Sequence, residues 1–482
     1  MYKEDLLDKD LKLEYILLKF LYLSTGHIKK SDACRELEIT MPTLTKLSEN
    51  LQQQLKNEKV SFAINRYTLD LQVNDSVSLD DLTDTLLKKS VKYQIIHYLF
   101  QHAGYDAFVL ADELKISVGT LNRVIAECNQ LLQHFELKIK NKKLAGTMTQ
   151  RIYFYYNFLK MGETAIDSVL IDDLVAELAK KITLSIAQQK QLKIWLFVIM
   201  KKVTPHTTLG SLSPEEQIKI NRCQEMPICR FIRQAYVSKK SICSVDEAKI
   251  VPFFICLFLV TVGGIPYEEL RLGLYTNKNP VFEITDEVMA AIQSIYCLEA
   301  SHTTIDIKAS VFSLIAQVYY FHGVNYSIDR VTLNYYHKLF HNSLRDQVIT
   351  DILQHIIAPT NLFTSTKLNY LKKRLVFLIY LLSPKEEYRV RIGVLNMGSS
   401  LLADASIYLL KNELKGKQNV TISPYNNEEE YDLLISNARV PQLGNNYGQF
   451  YQVTAIGADL DVNQVSAIVD QIAYSKYHSF VV

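Results

Sequence analysis

Glu36–Leu55, ELEITMPTLTKLSENLQQQL, is the stretch that decides the fold. It predicts a short helix from about Lys30, a turn, and a second helix that starts at Pro42, where the fixed φ of proline suits the first helical position. Leu44, Leu47, Leu51 and Leu55 share one face of this second helix. The opposite face is expected to carry Thr43, Thr45, Lys46, Ser48 and Asn50. Two helices arranged in this way are typical of a helix-turn-helix, although an αα-hairpin in any helical core would show the same pattern.

The same pattern recurs 77 residues later, in Glu113–Leu132, ELKISVGTLNRVIAECNQLL. Ile39 corresponds to Ile116, and Leu44 corresponds to Leu121. The remaining matched pairs are Glu36 with Glu113, Leu37 with Leu114, Thr40 with Ser117, Thr43 with Thr120, and Leu55 with Leu132. A constant offset with the same apolar register indicates duplication of a small domain.

A β-hairpin is predicted after each pair of helices. Apolar residues alternate along Val60–Val73, with Asn65-Arg66 in the turn. The second hairpin, Glu136–Gly146, contains Lys138, Lys140, Lys142 and Lys143. These lysines suit a phosphate backbone, or they form a solvated edge that resists aggregation. With a preceding helix in each case, both units are predicted to be winged helices.

The predicted secondary structure changes twice in the rest of the chain. From about Ile152 to Ser383, long amphipathic helices follow one another, including one predicted over Ile218–Ser238. From Tyr388 onwards, short apolar strands alternate with helices, which predicts a small parallel α/β domain. The fold class expected is therefore a mainly α, multidomain protein.

Composition excludes several classes of protein. The net charge is only +2, so nucleic-acid contacts must come from local basic patches. The seven cysteines are odd in number and form no C-x-x-C pair, which favours free thiols over disulfides or a zinc site. The charged N-terminus predicts no signal peptide. The longest uncharged apolar run, Ile250–Val262, is shorter than the ~20 residues of a membrane span and predicts a buried core helix. A cytoplasmic protein is expected.

Motifs of enzyme chemistry are missing from the sequence. It contains no phosphate-binding loop, zinc-protease motif or nucleophile elbow. His337 and His341 share a helix face, but no Cys, Asp or Glu lies close in the sequence, which argues against a metal. The turn Asn396–Ser400 after a strand can bind an anion at a helix N-terminus, or it is simply a tight βα turn. We therefore expect no enzyme activity, cofactor or metal.

The order of these parts resembles the Mga/AtxA family of transcriptional regulators from Gram-positive bacteria. The resemblance rests on the two repeat stretches and on the end segment RVRIGVLNMGSS…YDLLISN. It implies winged helix-turn-helix units at residues 1–75 and 76–160, helical phosphotransferase-system regulatory domains (PRDs) at 161–283 and 284–384, and an EIIB-like α/β domain at 385–482. It also implies dimerisation through the last domain and binding of promoter DNA with limited sequence preference, often at curved DNA, by a global or virulence regulator.

Histidine phosphorylation by the sugar phosphotransferase system, through its phosphocarrier protein, is a further implication of the resemblance. His206 lies just past a predicted helix end and is a candidate. The other candidates are His302, His322, His337, His341 and His355. EIIB enzymes carry a phosphorylated cysteine in the loop that here reads Leu395-Asn396-Met397-Gly398, so the C-terminal domain is expected to be a scaffold without enzyme activity.

DNA contacts are expected from the outer face of each second helix. The candidates are Thr43, Thr45 and Lys46 in the first unit and Thr120, Asn122 and Arg123 in the second. Asn122 suits adenine, and Arg123 suits guanine or a phosphate, while the lysine-rich hairpin adds affinity without sequence information. Two alternative functions are also compatible with the sequence: a phosphotransferase-system component, and an RNA-binding antiterminator that also carries two PRDs.

Overall fold

The computed structural model describes most of the chain. The described residues are 1–24, 26–55, 60–73, 79–162, 166–240, 242–262, 265, 267–274, 279–296, 302–326, 329–340, 343–380, 389–396, 400–414, 420–437, 446–453 and 459–481. They form two compact units, one of Met1–Val281 with Phe312–Tyr336 and one of Phe282–Val311 with His337–Val482.

The first part of the chain folds around the predicted helix-turn-helix. Its elements are a 3-10 turn (Lys3–Leu6), α1 (Lys9–Leu23), β1 (His27–Lys29), α2 (Lys30–Leu37), α3 (Met41–Gln54), β2 (Val60–Ile64) and β3 (Thr68–Val73). The hairpin β2–β3 forms as predicted. The short strand β1 was not predicted and pairs antiparallel with β3, which gives a three-stranded sheet. Apolar side chains of the helices and the sheet share one buried core.

The second part repeats this order after an added helix. Its elements are α4 (Leu79–Lys89), α5 (Val91–Gln101), α6 (Ala107–Glu113), α7 (Val118–Gln133), β4 (Lys138–Lys140), β5 (Lys143–Ala145) and α8 (Met148–Lys160). Strands β4 and β5 form a two-stranded hairpin. Helix α8 is almost entirely buried, and the Tyr153 ring stacks on Phe321 with their centroids 4.0 Å apart. This helix joins the second unit to the helical region that follows.

Helices dominate the middle of the chain. They are α9 (Val169–Ala179), α10 (Ile186–Lys202), α11 (Pro214–Cys223), α12 (Pro227–Lys239), α13 (Glu247–Val262), α14 (Tyr267–Leu274), α15 (Pro280–Tyr296), α16 (His302–Tyr320), α17 (Arg330–Phe340), α18 (Ser343–Asp351), which continues into a π-helical turn (Ile352–Ile357), and α19 (Ser365–Tyr380).

Two predictions in this region have opposite outcomes. The single helix expected over Ile218–Ser238 is wrong, because Pro227 cannot donate to the preceding turn and starts a new helix instead. The apolar run Ile250–Val262 lies in the buried helix α13, as predicted. Among the described residues, no helix has the length and apolar character that crossing a membrane requires.

The C-terminal part contains an all-parallel sheet. Its elements are β6 (Val390–Leu395), α20 (Ser400–Glu413), β7 (Val420–Pro424), β8 (Tyr431–Ser436), β9 (Tyr447–Gln452) and α21 (Asp459–Val481). The strand order is β7-β6-β8-β9, and each neighbouring pair is parallel. Central strands β6 and β8 are largely buried, which is expected when helices cover a parallel sheet. The predicted small parallel α/β arrangement is therefore present.

Candidate nucleic-acid interface

The two helix-turn-helix turns have the same backbone geometry at positions 77 residues apart. Glu38 and Lys115 both adopt the left-handed conformation, with φ of 55° in each case. After them, Ile39 N–H donates to Cys34 O over 3.0 Å and Ile116 N–H donates to Ala111 O over 2.9 Å. Two identical turns at this offset confirm that the sequence repeat is a structural duplication.

A polar side chain ties each second helix to its hairpin, again at matching positions. In the first unit, Gln52 Nε2 donates to Phe62 O over 2.8 Å. In the second, Asn129 Nδ2 donates to Ile139 O over 3.2 Å, and Asn129 Oδ1 accepts from Ile139 N–H over 2.6 Å. These bonds hold each hairpin against the second helix of its unit, so the two surfaces expected to meet DNA lie side by side.

Helix α3 presents a narrower outer face than predicted. Thr43 and Lys46 are exposed, while Thr45 is half-buried and its hydroxyl donates to Met41 O over 3.0 Å. Ser48 is fully buried, because at about 100° per residue it lies within the apolar arc that begins at Leu44. The placement of Ser48 on the outer face was therefore wrong.

Asn50 was also expected on the outer face of α3, and this too was wrong. Its side chain is half-buried, and Asn50 Nδ2 donates to Glu14 Oε1 of α1 over 3.4 Å. Gln54 Nε2 donates to the other oxygen of the same carboxylate over 2.8 Å. Asn50 therefore holds α3 against α1 and is not presented to a ligand.

Helix α7 places its candidates on an open face. Ser117 Oγ accepts from Thr120 N–H over 3.1 Å and caps the helix. Asn122 and Arg123 are exposed one turn further along, whereas Thr120 is half-buried and its hydroxyl lies 2.9 Å from Ser117 Oγ. Asn122 and Arg123 are thus exposed on the outer face of this helix, as predicted.

The second hairpin exposes all four predicted lysines, Lys138, Lys140, Lys142 and Lys143. Its two turn residues, Asn141 and Lys142, have φ of 50° and 62°, a pair of left-handed residues that matches the right-handed twist of a two-residue hairpin. Ile139 between the first two lysines is buried, so the alternation along β4 directs both lysines outwards.

Asp106 anchors the tip of this hairpin to helix α6. One carboxylate oxygen accepts from the N–H groups of Phe108 and Val109, and the other lies 3.3 Å from Lys142 Nζ. The two N–H groups and the ammonium hold the pKa of Asp106 below its ordinary value. Lys142 is therefore engaged within the protein, while Lys138 and Lys140 project from the strand.

Two exposed residues of the first hairpin were not among the predicted contacts. Arg66 and Tyr67 form the tip between β2 and β3, and Tyr67 is 68% exposed. The Arg66 guanidinium lies 5.1 Å from the centre of the Tyr67 ring. The sequence predicted a turn at Asn65-Arg66. An arginine beside an aromatic residue at the tip of a hairpin was the signal that could have added these two residues to the candidates.

The histidine candidates lie in different surroundings. His206 is exposed in the loop after α10, as predicted. His355 is exposed in the π-helical turn, and His302 begins α16, where only its backbone is described. His337 is half-buried, and burial lowers its pKa. His341 lies outside the described residues, and so do residues 397–399 of the predicted anion-binding turn.

His322 is the candidate that contacts the second unit. It is exposed at the end of α16, and its Nδ1 lies 3.0 Å from Glu136 Oε1 in the segment between α7 and β4. Its backbone N–H donates to Gln150 Oε1 of α8 over 3.1 Å. Gly323, with φ of 75°, allows the chain to pass close to Phe135, where a Cβ would come within 2.6 Å of the ring.

A helix-turn-helix followed by a hairpin occurs twice among the described residues and is the arrangement of a winged helix, a fold that many DNA-binding proteins use. Residues 75–159, which contain the helix-turn-helix and the hairpin of the second unit, match the family model of the Mga helix-turn-helix domain. This match confirms the resemblance to the Mga/AtxA family over that segment and indicates a DNA-binding transcription regulator. No curated protein shows significant similarity to the chain.

Proposed function

We propose that the protein binds promoter DNA through both winged units, with limited sequence preference, and acts as a global or virulence regulator. The observation that carries this proposal is the second unit, where Asn122 and Arg123 are exposed on α7 and Lys138 and Lys140 project from the adjoining hairpin. Helix residues at such positions read base edges, while hairpin lysines neutralise phosphates.

Each unit contributes a small set of contacts in this proposal. Thr43, Lys46 and the tip residue Arg66 serve the first unit, and Thr45 and Thr120 shape the helix starts through their hydroxyl bonds. The second unit adds Asn122 and Arg123 of α7 and the lysines of the adjoining hairpin. Since the chain as a whole is almost neutral, affinity depends on these local charges and on the assembly of more than one copy.

Phosphorylation of a histidine would act on the second unit most directly at His322. Phosphate adds up to about two negative charges. Placed beside the Glu136 carboxylate, it would replace the 3.0 Å attraction with repulsion and push on the segment that leads into β4. His206, His302, His337, His341 and His355 remain candidates under the resemblance.

The remaining assignments also follow the resemblance. Residues 161–283 and 284–384 act as PRDs that receive phosphate from the phosphotransferase-system phosphocarrier protein. The parallel sheet of residues 385–482 supports an EIIB-like domain that serves dimerisation, and its loop residues 395–398 contain no cysteine to carry phosphate. The protein works in the cytoplasm as a regulator without enzyme activity.

A salt-titrated binding assay tests the proposal. The full-length protein is measured on duplex DNA of several sequences, including curved A-tract DNA, and on hairpin RNA. We expect tight duplex binding that weakens as salt rises, with preference for curved or bendable sequence. Preference for hairpin RNA would favour the antiterminator alternative. Lack of binding to either nucleic acid at low salt and micromolar protein would favour a phosphotransferase-system component.

The role of His322 is tested separately. His322→Glu places a carboxylate beside Glu136 and is expected to change DNA affinity several-fold, while the double variant His322→Glu/Glu136→Gln restores it. His355→Glu is the matched control, because His355 is also an exposed histidine of the chain. Equal effects of the two single substitutions would remove His322 from the mechanism.

A further inference from the structure

Three cysteines from three successive helices meet in the interior of the compact unit formed by Met1–Val281 and Phe312–Tyr336. Cys223 ends α11, Cys229 lies in the first turn of α12, and Cys256 lies in the middle of α13. Their sulfur atoms all lie within 4.8 Å of one another. The sequence did not suggest this cluster, because the three residues form no C-x-x-C pair and one of them is distant along the chain.

The cluster is enclosed and offers sulfur only. Cys223 is 6% exposed, Cys229 is 0% exposed and Cys256 is 3% exposed. Within the described residues, no imidazole or carboxylate completes the group with a fourth ligand atom. Gln224 Nε2 donates a hydrogen bond to Cys229 Sγ over 3.7 Å. Gln224 therefore contacts the cluster as a donor and adds no ligand atom. The site is therefore suited to a centre that accepts three thiolates.

The charge of the bound state discriminates between possible centres. Three thiolates carry a charge of −3, so a monovalent copper ion would leave −2 and a zinc ion −1 in a buried site. Burying net charge without full compensation is costly. The exposed Arg233, one turn along α12, acts electrostatically on Cys229 but is a single cation. Zinc in addition prefers four ligands. A trivalent centre gives a neutral complex.

We propose that Cys223, Cys229 and Cys256 form a buried three-thiol site for a trivalent thiophilic centre, of the class of arsenic(III) and antimony(III) trihydroxides. Uncharged arsenous acid reacts with the three thiols by exchange. Three As–S bonds form, three As–O bonds break, and each hydroxide leaves with one thiol proton as water. No electron is transferred and no net charge is brought into the protein interior.

The only tryptophan of the chain provides an intrinsic reporter for this site. Trp195 is buried, and its Nε1 donates to Phe254 O over 2.8 Å. Phe254 lies two residues before Cys256 in α13. Cross-linking the three helices through one arsenic atom is therefore expected to change the tryptophan fluorescence and to raise the melting temperature of the unit.

Native mass spectrometry of the full chain with arsenous acid tests the proposal directly. The protein is kept anaerobic with a phosphine reductant, so that no competing thiol is present. We expect one adduct whose mass increases by one arsenic atom and decreases by three hydrogens. The fluorescence change should saturate at one equivalent, and the Tm should rise with the same stoichiometry.

Cys223→Ser is the main variant, because Cys223 is the least buried of the three and its loss disturbs the core least. Cys229→Ala is the second variant, and Cys243→Ser, at a free and less buried cysteine, is the matched control. The three-bond adduct should be lost in both cluster variants and retained in the control, with native circular dichroism spectra in all three.

Three results would overturn the proposal. One is an adduct in the wild-type protein that loses only two hydrogens and keeps a hydroxyl, since that adduct needs only two thiols. Another is a three-bond adduct that persists in a folded Cys223→Ser variant. The third is a competition in which zinc or monovalent copper displaces arsenic(III) from the wild-type site, because that would contradict the charge argument.

Discussion

Lys19 of α1 and Asp329, the residue before α17, form an ion pair with a 3.2 Å separation in the interior of the compact unit formed by Met1–Val281 and Phe312–Tyr336. Both side chains are largely buried, with 11% and 3% exposed. Asp329 also accepts from the Tyr15 hydroxyl over 3.2 Å and from Thr332 N–H over 2.8 Å. The helix that braces the first winged unit is thereby held to a segment more than 300 residues later in the chain.

Removing Lys19 is expected to destabilise strongly the compact unit that contains it. Lys19→Met leaves the Asp329 carboxylate buried without its counter-ion, at a cost of about 3–5 kcal/mol in the free energy of unfolding. Thermal or urea unfolding followed by circular dichroism measures the loss. Lys12→Met is the matched control, since its more exposed pair with Asp5 should contribute less than about 1 kcal/mol. Similar losses from both substitutions would contradict this account.

The same pair sets part of the acid stability. Burial alone would raise the pKa of Asp329, but Lys19 and the Thr332 donors hold it below the ordinary value of 3.8. A carboxyl with a depressed pKa contributes stability at neutral pH that is lost as pH falls through its folded-state pKa. Asp329→Asn should therefore be less stable than wild type at pH 7, and the difference should shrink below about pH 4. A constant difference across that range would argue against it.

Glu4 is expected to have the opposite pH dependence. Its side chain is 1% exposed, and burial raises its pKa to about 7, although Arg330 N–H donates to it over 3.1 Å. A carboxyl with a raised pKa contributes stability below its unfolded value that is lost as pH rises through about 7. Glu4→Gln should therefore be more stable than wild type by about 1–3 kcal/mol at pH 8, and this gain should vanish near pH 5.

The measurement for Glu4 is the melting temperature of both proteins between pH 5 and pH 8. Glu113→Gln serves as the control, because Glu113 is an exposed glutamate at the end of α6. A gain for Glu4→Gln that is the same at both ends of the range would mean that the carboxyl is not protonated on folding.

The duplicated helix-to-hairpin bonds should differ in strength between the two units. Asn129→Ala removes two hydrogen bonds to Ile139 and should cost about 1–3 kcal/mol, whereas Gln52→Ala removes one bond to Phe62 and should cost about 1 kcal/mol. Amide hydrogen exchange of β4 and β2 gives a local measure. Faster exchange confined to the hairpin of the altered unit is expected. Unchanged exchange in β4 of Asn129→Ala would show that the hairpin is held by other contacts.

Base and phosphate contacts are expected to separate in DNA binding. Each of Lys138→Ala and Lys140→Ala should weaken binding to all sequences and reduce the salt slope by about one. Lys142→Ala should reduce it less, because Asp106 already pairs with that ammonium. Arg123→Ala or Asn122→Ala should instead alter the preference between sequences, with a loss of about 1–3 kcal/mol on the best site. Salt-dependent fluorescence anisotropy on a panel of duplexes measures both quantities.

Equal salt slopes for the three lysine variants would contradict the special role of the Asp106 pair. If neither Asn122→Ala nor Arg123→Ala changes the rank order of the duplexes, α7 does not read base edges, and the first unit becomes the better candidate for that role.

Local sequence determined the winged units. The leucine spacing of Leu44, Leu47 and Leu51, the proline at the start of α3 and the serine cap of α7 each act within one or two turns of helix, so they could be recognised in the chain alone. The constant offset of the repeat showed that the two units are copies of one small domain. The same local rules failed at Ser48 and at Pro227, where a polar residue lies within an apolar arc and a proline starts a helix.

Tertiary structure alone decided which distant side chains meet. Nothing in the neighbourhood of Lys19, His322 or Cys256 identifies Asp329, Glu136 or Cys223 as the partner, since these contacts depend on how the helices pack and not on periodicity. Each helix must bury its apolar face against other segments of the folded chain. This packing brings together residues that have no regular spacing in the sequence. The winged units were therefore predictable from the sequence, whereas the buried ion pair, the histidine contact and the three-thiol cluster required the folded chain.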